Sequence, residues 1–317
     1  MDDKKIKILY IAGSGRSGST ILHNILGQID GFFSIGELRY VWERGFVKNK
    51  PCGCGRPFQE CEFWKAVLGQ TSGLLDQIDA YRLYRLTESF RIHHLPFTVI
   101  PNVRIRHLSR LSGYLEAIEK LYRAIQCVTD SRVIVDSSKN PAYGYLISHL
   151  SSIDLHILHF VRDARAVAYS WSKKKLFNPD PVNPDYMAQK GPLKSAFQWN
   201  ARNAFTELLL RQAPEKYMQL KYEDFVQAPR QSVESILNFL CEPAMSLPFE
   251  SDKSVRLKEN HSVFGNLVRF QTGVVNIQLD KEWKSKMSSL NKAAVTLLTL
   301  PLLVKYGYLR SGNGETV

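Results

Sequence analysis

Residues 8–20 read Ile-Leu-Tyr-Ile-Ala-Gly-Ser-Gly-Arg-Ser-Gly-Ser-Thr, an apolar run that breaks into a glycine-rich turn just before a helix can begin. Such a turn aims several backbone N–H groups and the positive end of a helix dipole at one point, which suits a phosphate. Gly13 and Gly18 have the separation found in a nucleoside-triphosphate loop, yet Ser19 stands where that loop carries its lysine. The cation lies inside the turn instead, as Arg16. A phosphate cradle without the triphosphate lysine argues against ATP or GTP hydrolysis. Taken alone, the segment could equally be a plain glycine turn between a strand and a helix.

Further along, Gly15-Arg16-Ser17-Gly18-Ser19-Thr20 resembles the 5′-phosphosulfate loop of sulfotransferases that use 3′-phosphoadenosine 5′-phosphosulfate (PAPS), in the Arg-Ser-Gly form of their carbohydrate, tyrosylprotein and bacterial members. The resemblance implies that Ser14 through Thr20 cradle that group. Phe160-Val161-Arg162-Asp163-Ala164-Arg165-Ala166-Val167-Ala168-Tyr169-Ser170 is similar to the family's 3′-phosphate motif. There Arg162 would grip the phosphate in bidentate fashion and Ser170 would add a hydroxyl; a surface arginine and an ordinary helix serine are the alternative. Leu220-Lys221-Tyr222-Glu223-Asp224-Phe225 resembles the family's Tyr-Glu-Asp segment, which implies Tyr222 beside the adenine, although a core aromatic at a strand end reads the same way. His261 to Phe270, with Gly265-Asn266, is similar to the carboxy-terminal cofactor loop of bacterial members and implies Arg269 as a phosphate contact.

Sulfuryl transfer, like phosphoryl transfer, asks a protein to align the acceptor, neutralise charge and help a leaving group depart. The 5′-phosphate of 3′,5′-bisphosphoadenosine is already a good leaving group, so no metal is expected. Arg16 and the loop N–H groups would take up its charge. The acceptor hydroxyl needs a base, and Glu37, in Ile35-Gly36-Glu37-Leu38-Arg39, is the candidate. A similar arginine-to-glutamate spacing occurs in tyrosylprotein sulfotransferases. Glu37 could instead pair with Arg39 or Arg44, and His93, His94 and His107 are substitute bases. Asp136-Ser137-Ser138-Lys139-Asn140-Pro141 resembles the Asn-Lys-Asp-Pro segment of tyrosylprotein enzymes, which implies Lys139 on the sulfonate, with Asn140 where those enzymes carry Asp. A surface turn is the plain reading there. Asp136 as the metal-positioning carboxylate of a small-molecule P-loop kinase sustains a rival, and a non-catalytic nucleotide- or nucleic-acid-binding protein is a third.

These residues need a scaffold. Ile6–Ala12, Phe32–Ile35, Val133–Val135, Leu155–Val161 and Tyr217–Lys221 read as strands, separated by helices over 20–29, 115–128, 143–150, 164–174, 193–211 and 229–240. The pattern predicts an α/β chain with a doubly wound, mostly parallel sheet. By resemblance this is the P-loop NTPase-like sulfotransferase fold, one domain over 1–317. Ligands of such sheets sit beyond the carboxyl ends of the strands, where the motifs fall. Residues 45–130 interrupt the alternation and predict a helical, cysteine-containing insertion that shapes the acceptor site. The segment 251–280 reads as an irregular polar loop, Trp283 as core, and the apolar stretch Ala293–Val304 as a buried terminal helix.

The whole-chain numbers set limits. Among 317 residues, 42 Lys and Arg against 30 Asp and Glu give a charge of +12, which suits an anionic ligand, nucleic acid or a membrane surface. No zinc-finger spacing or aromatic-glycine RNA motif favours nucleic acid. There is no apolar run of membrane-spanning length and no signal-peptide core. Golgi sulfotransferases carry an anchor, so its lack here implies a cytoplasmic enzyme acting on a hydroxyl of a carbohydrate, lipid, phenol, peptide or specialised metabolite. Five cysteines argue against a complete disulfide framework. Cys52, Cys54 and Cys61 cluster without a local fourth metal ligand, which leaves free thiols in a tight loop, a disulfide or redox-sensitive loop, or a metal site.

Overall fold

The computed structural model describes residues 5–71, 77–174, 176–178, 185–211, 213–243 and 245–309. Its strands are β1 (Ile6–Gly13), β2 (Phe32–Gly36), β3 (Val133–Lys139), β4 (Ile153–Val161), β5 (Leu176–Asn178), β6 (Asp185–Tyr186), β7 (Tyr217–Lys221), β8 (Phe249–Ser251), β9 (Ser254–Leu257) and β10 (Gly273–Asn276). Five of them form a fully parallel sheet in the order β2-β3-β1-β4-β7. β1 shows why the sheet is covered on both faces: Ile6, Ile8, Tyr10 and Ala12 point into one core, and Leu9 and Ile11 into the other. The helices Ser112–Thr129 and Pro141–Ile147 complete the first core, and Ser19–Leu26 and Pro229–Phe239 the second. The amphipathic stripe Leu115, Ile118, Leu121, Tyr122 and Ile125 anchors the longest of these. Each such side chain, once buried, contributes roughly 1.5–3 kcal/mol.

Between β2 and β3 the chain is largely helical: Glu62–Gly69, Gln77–Ser89, Pro101–Arg110 and Ser112–Thr129 are α-helices, preceded by a π-helical stretch at Val41–Val47. The structure departs from the sequence expectations in four places. β3 runs on to Lys139, so Asp136–Lys139 closes a strand rather than following one. A short helix, Tyr222–Gln227, starts directly at the end of β7. The segment 251–280 is not an irregular loop, because β8, β9 and β10 form an antiparallel sheet within and beside it. The terminal helix Ser289–Lys305 buries only the stripe Val295, Thr299 and Leu303; Leu290 and Leu297 are 81% and 73% exposed. No helix of the described residues is long and apolar enough to cross a membrane.

Candidate active site

The carboxyl ends of β1, β2 and β3 meet at one cleft. From β1 comes the glycine-rich turn, in which Arg16 takes a left-handed φ of 66° and Gly18, at the start of the helix Ser19–Leu26, a φ of 84°. Gly18 is also required sterically: a Cβ there would stand 2.5 Å from the ring of Tyr222. From β2 comes Glu37, released by Gly36 at φ 71°. β3 ends in Lys139, a second cation in the left-handed region, at φ 59°. Non-glycine residues enter that region at a cost of order 1–3 kcal/mol, and such strain clusters at active sites and ligand clamps.

The aim is visible in the contacts. Lys139 Nζ lies 2.8 Å from Glu37 Oε1, and both side chains are largely buried. Behind them, Asp136 accepts hydrogen bonds from the Ser138 amide at 2.8 Å and the Tyr122 hydroxyl at 2.6 Å. Burial pushes its carboxyl pKa up to about 6, against the pull of those bonds. Asp136 has no exposed surface and its oxygens are occupied from within the protein. It therefore does not fit the metal-positioning role of the kinase reading.

Two further cations line the same cleft, and neither was singled out from the sequence: Lys190 and, on the helix Pro192–Leu210, Arg202. Burial lowers the pKa of Arg16 and of Arg202, and takes Lys190 down to about 8 with help from Arg202, Lys194 and Arg16. Glu37 is the sole acidic residue among the described ones lining the cleft. Around the turn, Arg16 Nη2, Ser17 Oγ and Arg162 Nε are buried without a hydrogen-bond partner among the described residues. Such donors in the interior await an acceptor. Four cations, orphan donors and one carboxylate make a site for an anion next to a proton acceptor.

The comparison with protein families decides the class. A sulfotransferase family model matches residues 9–245. The chain belongs to the sulfotransferase family. Among solved structures, the sulfotransferase domain from the Synechococcus PCC 7002 olefin synthase aligns at 19% identity over 97% of both chains, with a TM-score of 0.50. The sulfotransferase domain from the curacin biosynthetic pathway aligns at 18% identity over 93% of this chain and 98% of that one, with a TM-score of 0.52. At such identities the likeness is one of fold. No curated protein matches the sequence.

In this sulfotransferase Gly15, Arg16, Gly18, Ser19, Thr20, Glu37, Lys139 and Tyr222 share the cleft. Ser14 and Ser17 lie buried within the turn, and Ser170 is buried in the helix Ala164–Ser172. Arg162 stacks on Tyr222 at 4.4 Å, donates to the Arg16 carbonyl at 3.1 Å and pairs with Asp280 at 3.2 Å. Arg269 is placed differently from its expected phosphate contact. Its guanidinium is buried and donates to the carbonyls of Ser262, Val263 and Pro51. It does not line the cleft, and neither does any described residue of 45–130. His93, His94 and His107 group near Phe90, also outside the lining. Trp283 is half-buried under Arg165.

One signal for Arg202 was present in the sequence: it interrupts the buried stripe Ala196, Trp199, Asn203 and Thr206 of its helix. A cation on such a stripe needs a partner or a ligand. The cysteine loop also gains a neighbour that no local spacing announces. His261 Nδ1 lies 3.4 Å from Cys61 Sγ and 3.8 Å from Cys52 Sγ.

Proposed function

We propose that this sulfotransferase transfers the sulfuryl group of PAPS to an acceptor hydroxyl by in-line displacement, with Glu37 as the general base. The observation that carries the reading is the Glu37–Lys139 pair, 2.8 Å apart, in a cleft that the Arg16 turn also lines. PAPS supplies an activated sulfuryl group on a phosphate leaving group. The residues of this chain do the rest. The turn from Ser14 to Thr20 holds the 5′-phosphate through its N–H groups and hydroxyls, and Arg16 offsets the charge that gathers there as the S–O bond breaks. Lys139 stabilises the sulfonate oxygens. Glu37 accepts the acceptor's hydroxyl proton as the new O–S bond forms. Tyr222 offers a flat face against the adenine. Arg162 exchanges Asp280 for the 3′-phosphate, helped by Ser170. The acceptor approaches along Glu37 and Tyr40, with the helices of 45–130 supporting that wall from behind.

Calorimetry with 3′,5′-bisphosphoadenosine, without added magnesium, tests the cradle. The native protein is expected to bind, and Arg16→Ala to bind at least about tenfold more weakly, the loss of one charge-assisted hydrogen bond. Equal affinity of the two, or no binding by the native protein, would overturn the reading.

A further inference from the structure

Cys52, Cys54, Cys61 and His261 converge although His261 lies 200 residues from Cys61. Their four ligand atoms all fall within 4.8 Å of one another. The distances have a recognisable scale. Cys54 Sγ and Cys61 Sγ are 3.7 Å apart, and so are Cys61 Sγ and Cys52 Sγ. Thiolates held ~2.3 Å from a tetrahedral zinc ion stand roughly 3.8 Å from each other, and an imidazole nitrogen at ~2.05 Å stands roughly 3.6 Å from each sulfur. The sulfur-to-nitrogen distances here are 3.4 and 3.8 Å, on either side of that value. A disulfide would bring two sulfurs to ~2.05 Å, well inside the 3.7 Å separations found here.

The surroundings are built to hold these four side chains. Gly53 lets the loop pass against the histidine segment, since a Cβ there would lie 2.1 Å from Asn260 Oδ1 and 2.8 Å from the Asn260 carbonyl. Its N–H donates to the Ser262 carbonyl at 3.0 Å. Trp64 Nε1 donates to the His261 carbonyl at 3.1 Å, and Phe63 stacks on the imidazole at 4.9 Å. Arg269 bonds both sides at once, Pro51 next to the first cysteine and Ser262 next to the histidine.

We propose that Cys52, Cys54, Cys61 and His261 form a structural zinc site that fastens the cysteine loop to the segment 261–268. Three soft thiolates and one imidazole in a tetrahedral arrangement select zinc over the harder divalent ions, and a fully protein-supplied set of four leaves no open position for catalysis. The site bears on the cleft through what it fastens. Phe264, Gly265, Asn266 and Val268 line the cleft, Ile35 accepts from the Val263 amide, and the Glu37 amide donates to the Phe264 carbonyl at 3.2 Å. The metal therefore fixes one wall of the cleft and the backbone of Glu37 from a distance, and this assignment stands whether or not PAPS is the donor.

Metal analysis of the full chain, purified from zinc-supplemented medium, is expected to find about one zinc per chain. The reduced apoprotein should take up cobalt with the thiolate charge-transfer and intense visible bands of a tetrahedral site. Zinc should also shield Cys52, Cys54 and Cys61, but not Cys127 and Cys241, from alkylation. His261→Ala should weaken zinc binding by at least about 100-fold. The native-protein measurements need no variant to fold. The proposal is overturned by a native protein with less than about one tenth of an equivalent of zinc and only weak octahedral cobalt bands, by a disulfide among the three cysteines, or by zinc retained at full affinity in His261→Ala.

Discussion

Glu37 and Lys139 are placed by left-handed turns, one that Gly36 takes freely at φ 71° and one in which Lys139 itself sits at φ 59° against its backbone preference. Glu37→Gln keeps the shape of the carboxylate and removes its basicity. It is expected to lower turnover by ~10²–10⁴ while leaving bisphosphate affinity unchanged, read by steady-state kinetics beside calorimetry. Lys190 gives a pH signature. With its pKa brought down to about 8, it carries charge on the acid side of that value and loses it on the alkaline side. Anion affinity should therefore fall several-fold as pH rises from about 7 to 9, and Lys190→Arg should flatten the profile. A flat profile in the native protein would count against Lys190 as an anion contact. At this scale the sequence was legible where chemistry is local. Arg16 and Glu37 come just after strands and Lys139 ends one, so their positions beside the glycine-rich turn could be read from the order of the elements. Arg202 and His261 were not, because each reaches its partners only through the packing of a distant element.

The strand β3 shows how an element prepares a side chain. Asp136 binds the Ser138 amide and the Tyr122 hydroxyl, and so fixes the last residues of β3 against the helix Ser112–Thr129. Asp136→Ala removes the acceptor of three buried donors, the amide and hydroxyl of Ser138 and the hydroxyl of Tyr122. We expect roughly 2–4 kcal/mol of lost stability in urea unfolding, with reduced turnover because Lys139 is no longer aimed. The pH dependence has a definite sign. Folded Asp136 binds its proton near pH 6, whereas an unfolded Asp does so only near ~3.9. Across that window the folded state holds the extra proton, so this group adds stability as pH falls. The penalty of the substitution should be greater at pH 5 than at pH 7. Strands were legible because β1 and β4 are apolar on both faces, and Tyr217–Lys221 begins and ends where the pattern predicted. The sheet made by β8, β9 and β10 was not, because its short strands are half polar and are defined by pairing across a gap in the chain. The terminal helix looked buried since composition cannot tell a stripe from a core; only Val295, Thr299 and Leu303 of it are fully buried.

Across the whole molecule, a +12 chain sets four cations and a single carboxylate along one cleft, counted among the described residues. Filling that cleft should stabilise the entire fold. At 100 times its dissociation constant, 3′,5′-bisphosphoadenosine should add ~2.7 kcal/mol, seen as a rise in melting temperature, whereas magnesium and ATP should give a smaller shift. The most direct measurement is a transfer assay with PAPS and a panel of hydroxyl-bearing acceptors, without added magnesium, followed by mass spectrometry. We predict release of 3′,5′-bisphosphoadenosine together with an acceptor heavier by one SO₃ group, both formed ~10²–10⁴ times more slowly by Glu37→Gln. Turnover of a triphosphate in place of PAPS, or transfer at the native rate by Glu37→Gln, would contradict the account.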